Sequence, residues 1–338
     1  MHVDVYTDAT AFDALRPEWN ALLADSWADS LFMTWEWQRV WWRELGSGEL
    51  LLLAVRDNTG RLVGIAPLYL GHATGRRSLT LVGCVDVSDY LDILVRRGCE
   101  ALVYEALLTA LDERRALWDS LVLCNVAAGS PTLAYLPRWA AARGWMIADD
   151  HEDVCPVIPL PATWEAYLAG LGKHQRHEVR RKLRRIGEEA AAVRHVYTQG
   201  ANLDAALEVF FQLHRLSHVD KATFMDERMA AFFRAMTQAM GEQGYVELNI
   251  LEVDGAPAAA MYNFRYRDGL LVYNSGYDPG LRPNLSSGIV LLSQCIRDAI
   301  ERGLGVFDFL QGDEEYKYRF GATDVELRRL TVAWEAAA

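Results

Sequence analysis

The sequence has no paired-cysteine motif. Its five cysteines, at positions 84, 99, 124, 155 and 295, are odd in number, scattered and mostly set in apolar runs. That argues against a zinc ribbon or a CxxC redox centre, and the five read as reduced core residues of a cytoplasmic protein. GxxxxGK[ST] is absent, which excludes a nucleotide-triphosphate P-loop, and no GxGxxG follows a strand, which argues against a Rossmann dinucleotide site. HExxH is absent too. His214 and His218 stand four apart in FQLHRLSH with no third ligand, while His174 and His177 lie among cations that would repel a metal, so no metal is expected. No Ser-His-Asp order or reactive cysteine environment favours a covalent intermediate, leaving direct transfer as the simpler chemistry. No apolar run approaches membrane-spanning length, and MHVDVYTD has neither a basic start nor an apolar core, so neither a span nor a signal peptide is expected. Positive charge is scarce: 34 Lys and Arg against 46 Asp and Glu give a net −12, which argues against DNA or general nucleic-acid binding.

What is present is a globular composition, 51% hydrophobic and 24% charged over 338 residues, enough for two cored domains. Eleven tryptophans include a cluster at Trp35, Trp37, Trp41 and Trp42. Helices are expected at 11–23, 34–45, 100–113 and 132–143. Strands are expected at 50–55, 62–70, 79–84 and 120–125, the first two joined by the hairpin turn Asp57-Asn58-Thr59-Gly60. After about Cys155 the order starts again. Helices at 163–171, 173–192, 204–218 and 226–243 precede a meander at 245–253, 258–267 and 270–274, with turns at Asp254-Gly255 and Asp268-Gly269. Each half therefore reads helices, hairpin, strand, helix, strand. This pattern indicates a duplication into domains 1–155 and 156–338.

The second half is organised around residues 270–320. A strand at Leu270–Asn274 runs into the turn chemistry of Asp278-Pro279-Gly280 and Arg282-Pro283-Asn284. Ser286 or Ser287 can cap a helix carrying Ile289, Leu292, Ile296, Ala299 and Ile300 on one face, with Gly303 as its stop. Val306–Leu310 is a short buried strand. A helix start after such a loop is suited to phosphate or pyrophosphate, and Gly288 would let a bound group approach closely. An ordinary capped βαβ unit fits the same residues.

Charge marks two further places. Residues 173–185 hold seven Lys or Arg against one Glu, a local +6, so the rest of the chain carries −12 − 6 = −18. With Val179, Leu183, Ile186 and Ala190 on one face, Arg176, Arg180, Arg181, Lys182 and Arg184 spread round the remainder. This is either a solvated face or a site for an anionic partner such as a CoA 3′-phosphate, a lipid-linked or nucleotide sugar, or tRNA. After the last core strand come Asp313, Tyr316 and Lys317: a Lys can stabilise an oxyanion, and a Tyr or carboxylate can move a proton. A surface loop with a compensating Lys is the alternative. Asp308 alternates with Phe307 and Phe309 and is expected to face a cleft or an ion partner.

YNSGYD, the SSG before the helix, the AIERG that ends it and DFLQGDEEYKYRFGA together resemble the CelD/FemABX-like branch of the GNAT acyltransferases. WEWQRVWWREL, GIAPLYL and SDYLDIL in the first half match weakly. The resemblance implies an α/β (α+β) fold of two tandem GNAT-like domains, each a mixed, largely antiparallel twisted sheet flanked by helices. It implies acetyl-CoA or another acyl-CoA as donor, held by Arg282, Leu285, Ser286, Ser287 and Gly288. Here a Leu and two Ser depart from the usual [QR]xxGxG or [QR]xxGxA loop. Lys317, Tyr316 and Asp313 are the implied catalytic group, with Arg176, Arg180, His214, Tyr277 and Asp308 around an amine or hydroxyl acceptor from a small molecule, sugar or cell-envelope precursor. The first half, lacking the SSG-like loop, is expected to shape the acceptor cleft without binding a donor. An aminoacyl-tRNA-dependent transferase and a non-catalytic binder of an anionic glycan precursor are the alternatives.

Overall fold

The computed structural model describes residues 1–73, 76–84 and 87–333. The chain divides into two compact units, Met1–Val154 with Val325–Ala338, and Cys155–Asp324. The sequence division at 155/156 thus gains one exchange, the last strand, which the structure assigns to the first unit.

In the first unit, β1 (His2–Tyr6), α1 (Thr10–Ala24) and α2 (Trp35–Glu44) precede the hairpin of β2 (Glu49–Arg56) and β3 (Leu62–Ala73). Asp57 Oδ1 accepts from the N–H groups of Thr59 (2.8 Å) and Arg61 (3.1 Å), closing that turn with Gly60 at φ +86°. Then come β4 (Arg76–Leu81), β5 (Leu94–Val95), α3 (Glu100–Glu113), β6 (Ser120–Ala127), α4 (Thr132–Ala142) and β7 (Met146–Pro159), which crosses the division. Trp19, Trp37 and Trp41 are core residues here. The strand order is β1-β2-β3-β4-β6 followed by the last strand of the chain, antiparallel except for the parallel pair β4/β6.

Two of the five cysteines depart from the reduced state expected of them. Because β4 and β6 are neighbours, Cys84 and Cys124 come to a Cα separation of 6.0 Å and form a disulfide, while Cys99, Cys155 and Cys295 are free. This unit also buries Asp92, which accepts hydrogen bonds from the hydroxyls of Ser130 and Thr132 and from the N–H of Ile93. Burial raises its carboxyl to about 6 despite those three donors.

The second unit continues with α5 (Trp164–Gly170), α6 (Lys173–Glu189), β8 (Ala192–Tyr197), α7 (Gly200–Ser217), α8 (Val219–Phe224) and α9 (Glu227–Glu242). The meander is β9 (Val246–Val253), β10 (Ala256–Tyr266) and β11 (Gly269–Tyr277), followed by α10 (Ser287–Glu301), β12 (Val306–Asp308), α11 (Glu315–Arg319) and β13 (Thr323–Ala333). Its strand order is β7-β12-β11-β10-β9-β8, antiparallel except for β11/β12. Each unit therefore carries an antiparallel meander closed by one parallel pair, with a helix in the connection, as the repeated element order implies. The first meander turn has Asp254 and Gly255 at positive φ, as expected; the second has Arg267 there, one residue before the expected Asp268-Gly269. The Asp268 carbonyl is already engaged by Gly305 N–H (2.8 Å), and Gly269 opens the pairing with β12. Five of the described strands were not expected at all: β1, β8, β13, the two-residue β5 and the long β7. Among the described residues no helix is long and apolar enough to cross a membrane.

Candidate active site

The site grows from a fault in the strand pairing of the second unit. Tyr262 pairs with Asn274 but Asn263 pairs with Val272, so Tyr273 is the extra residue of a bulge in β11. A bulge bends its strand and sharpens the local twist. Correspondingly, β11 and β12 pair only over Gly269–Leu271 and Val306–Asp308, and beyond Leu271 no strand of the described residues covers that side of β11. The two parallel strands form a fork. In the first unit the disulfide bridges the corresponding parallel pair.

Side chains satisfy the backbone where the fork opens. Ser275 N–H donates to Asn274 Oδ1 (2.8 Å), and Lys221 Nζ donates to the Ser275 carbonyl (2.6 Å). His214 Nε2 donates to the same Asn274 Oδ1 (3.0 Å). Burial, followed by the positive charge of Lys221, pushes His214 down to about 4, so its ring is neutral at neutral pH. Lys221 is lowered as well, by burial, with Glu314 opposing. Gly276 allows this assembly: a Cβ there would lie 2.4 Å from His214 N and 2.6 Å from its Cα. The α7 backbone rests directly on the strand.

The loop beyond β11 leads to α10. Arg282 and Ser286 both take left-handed backbone, at φ 47° and 54°. Ser286 is the N-cap residue, but in that conformation neither it nor Ser287 caps with its side chain; the Ser287 hydroxyl is buried without a partner. No oxygen of the described residues accepts from the N–H groups of Ser287, Gly288 and Ile289, and a Cβ on Gly288 would meet no atom within 4 Å. The first turn of a fifteen-residue helix is thus open, with its dipole and free donors available to an anion. Leu285 is core, 1% exposed. Arg282 turns away from that opening, pairing with Asp254 (3.1 Å) and the Glu189 carbonyl (2.6 Å).

The residues after β12 form a small enclosure. Lys317, 3% exposed, donates from Nζ toward the carbonyls of Leu310 (3.2 Å), Gln311 (2.9 Å) and Gly312 (2.9 Å) and pairs with Glu314 (2.8 Å). Asp308 Oδ1 accepts from Leu310 N–H (2.7 Å), fixing the start of the same loop, where the sequence led to an expectation of a cleft-facing carboxylate. Tyr316 packs edge-on against Phe309 with its hydroxyl pKa raised by burial, whereas Asp313 is exposed. Tyr277 ends β11 at the surface. On α6 the expected apolar face is buried at Val179 and Ile186 against the core containing α10, and Arg176 and Arg180 lie outside it. Arg181, Arg184 and Arg185 are paired within the helix to Glu178, Glu188 and Glu189. The loop, His214 and Lys317 are residues that the sequence already singles out. Lys221, Asn274 and Ser275 are not among the residues expected at the site: Asn274 and Ser275 lie in the YNSGYD stretch without a role assigned to them, and Lys221 lies in no motif.

Residues 173–318 match the acetyltransferase (GNAT) domain family. That segment, rather than the whole chain, is what resembles a GNAT domain. Its fold is also that of FemX, with TM-score 0.64 at 12% identity, covering 97% of each chain. A conserved protein of unknown function from Bacteroides thetaiotaomicron superposes with TM-score 0.60 at 9% identity over 98% of this chain and 100% of that one. L-PGS from Bacillus licheniformis gives TM-score 0.56 at 12% identity over 95% and 92%. No curated protein matches the sequence. The β11/β12 fork and the open start of α10 both lie within the matched GNAT segment.

Proposed function

We propose that the GNAT domain moves an acyl group, acetyl first, from acyl-CoA to an amine or hydroxyl of a small-molecule, sugar or cell-envelope-precursor acceptor. The observation that carries this reading is the combination of the fork with the unfilled first turn of α10. The donor pyrophosphate would accept from the N–H groups of Ser287, Gly288 and Ile289, and the thioester would enter the fork. There its carbonyl oxygen would take the Ser275 N–H from Asn274 Oδ1, a donor fixed in place before charge develops. The acceptor attacks the carbonyl carbon, the oxyanion is held at Ser275, the C–S bond breaks, and the acceptor's proton passes through solvent to the departing CoA thiolate, which leaves as the thiol. Neutral His214 positions Asn274. Lys317 and Asp308 act as positioning residues that hold the loop beside the fork, a different role from the direct oxyanion contact inferred from sequence. Closure of the corresponding strands by Cys84–Cys124 supports a first unit without a donor site.

CoA should raise the melting temperature, because a ligand that binds only the folded state stabilises by about 2.7 kcal/mol at a hundredfold excess over Kd. Replacing Gly288 by a larger residue should remove that shift with little change in the unliganded melting point, since a Cβ there meets no atom within 4 Å. An undiminished shift would put the donor elsewhere.

A second reading, aminoacyl-tRNA as donor, is favoured by one observation: Lys173 and Arg180 are exposed on α6 without carboxylate partners among the described residues. If it holds, a tRNA gel shift should weaken steeply with salt and be lost on charge reversal at both positions, while CoA leaves the melting temperature unmoved. Absence of any tRNA shift at low salt excludes it.

A further inference from the structure

Only four lysines occur among the 34 Lys and Arg of the chain: Lys173, Lys182, Lys221 and Lys317. Two belong to α6. The other two flank Glu314 and differ in how fully they are satisfied. Lys317 is enclosed by three carbonyls and a carboxylate. Lys221 makes a single hydrogen bond, to the Ser275 carbonyl at 2.6 Å, and no carboxylate of the described residues lies within ion-pair distance. An ammonium has three N–H donors, so two remain unused on a partly buried cation.

The surroundings offer no internal anion to complete the set. His214 is neutral, and Lys221 and Arg215 both act to keep it so. Arg215 itself donates to the Met225 carbonyl (3.1 Å). Glu314 favours the charged form of Lys221 only from a distance, its carboxylate being bonded to Lys317 and 59% exposed. Partial removal of a charge from water without a counter-ion is unfavourable, and a bound anion relieves it. The position is specific: Lys221 bonds the carbonyl of Ser275, the residue whose N–H faces the fork. An anion on its two free N–H groups would therefore lie beside the reacting centre.

We infer that Lys221 anchors an anionic group, carboxylate or phosphate, carried by the acceptor close to its nucleophilic amine or hydroxyl. The inference rests on the acyl-transfer reading of the fork. A compact ammonium suits a single oxyanion group at close quarters, where an arginine would impose its planar fork of donors.

The test uses the full chain with 13Cε-labelled lysine, which gives four resonances, assigned by Lys221→Met and by the corresponding variants of the others. Acetate and inorganic phosphate are titrated separately at constant ionic strength with chloride. The Lys221 resonance should shift saturably with at least one anion, and its titration midpoint should rise by about 1 pH unit, as an opposite charge at contact distance produces. Lys317 should stay still, and Lys173 and Lys182 should respond weakly without saturation. Saturation with acetate alone identifies a carboxylate acceptor, and with phosphate alone a phosphorylated one. Glu314→Gln should leave the response in place. A Lys221 resonance that ignores both anions, or follows them no differently from Lys173 and Lys182, overturns the inference. CoA-induced stabilisation of the same sample is read independently. Stabilisation with a silent Lys221 defeats this inference alone, and a saturable Lys221 without stabilisation defeats the acyl-CoA reading alone.

Discussion

Lys317→Met is expected to destabilise the second unit by about 3–5 kcal/mol, the range found when one partner of a buried charge network is removed. Methionine keeps the apolar stem, so the loss is that of the ammonium. Three carbonyls, of Leu310, Gln311 and Gly312, then lose a shared donor, and Glu314 loses its ion pair. The local backbone cannot easily rearrange around other donors, because Leu310 is held left-handed at φ 57° and Gly312 stands at φ 113°. With the loop slackened beside the fork, turnover per folded molecule should fall, while CoA affinity, set at α10, should change less. Denaturant unfolding and rate per folded molecule, measured together, check this. Normal stability with turnover reduced about 10²–10³-fold would instead return Lys317 to direct contact with the developing oxyanion.

Gly276→Ala is expected to be nearly as damaging, although it adds one methyl group. The new Cβ would stand 2.4 Å from His214 N, 2.6 Å from His214 Cα and 2.6 Å from the Leu213 carbonyl carbon. All three are backbone atoms of α7, so no side chain can swing clear and the helix must be displaced from β11. Overpacking of this kind typically costs about 1–3 kcal/mol and occasionally more, and the upper end is expected where backbone meets backbone. The displacement also separates His214 from Asn274, so turnover should fall further than stability. Gly288→Ala provides the contrast, since its methyl enters open space. Comparable denaturation midpoints for the two variants would show that α7 does not bear on Gly276 in this way.

The legible parts of the fold were those with a strong local period. The bounds of α3 follow from its apolar spacing and flanking residues, and the buried stripe of α6 at Val179 and Ile186 survives its unusual charge. The missed strands lack such a signal. β7 contains the acidic run Asp149-Asp150-His151-Glu152-Asp153, β13 carries paired arginines, and β8 follows a long helix and has only six residues. Their pairing partners define them. The same holds for the site. The SSG loop is visible because loop chemistry is local, and its open N–H groups follow from it. The bond from Lys221 to Ser275 spans 54 residues and that from His214 to Asn274 spans 60. No spacing rule connects them; the bulge at Tyr273 and the close approach at Gly276 do. Lys317 illustrates the opposite case: its position was legible, but its orientation depended on three carbonyls that only the folded loop brings around it.

The donor is proposed to be held by the first turn of α10 and the mouth of the fork. Residue-resolved amide hydrogen exchange with and without CoA tests this most directly, because it reads the groups themselves. CoA should slow exchange at Ser287, Gly288 and Ile289, and acetyl-CoA should add protection at Ser275. Protection that leaves those four amides unchanged while appearing elsewhere in the chain would contradict the account.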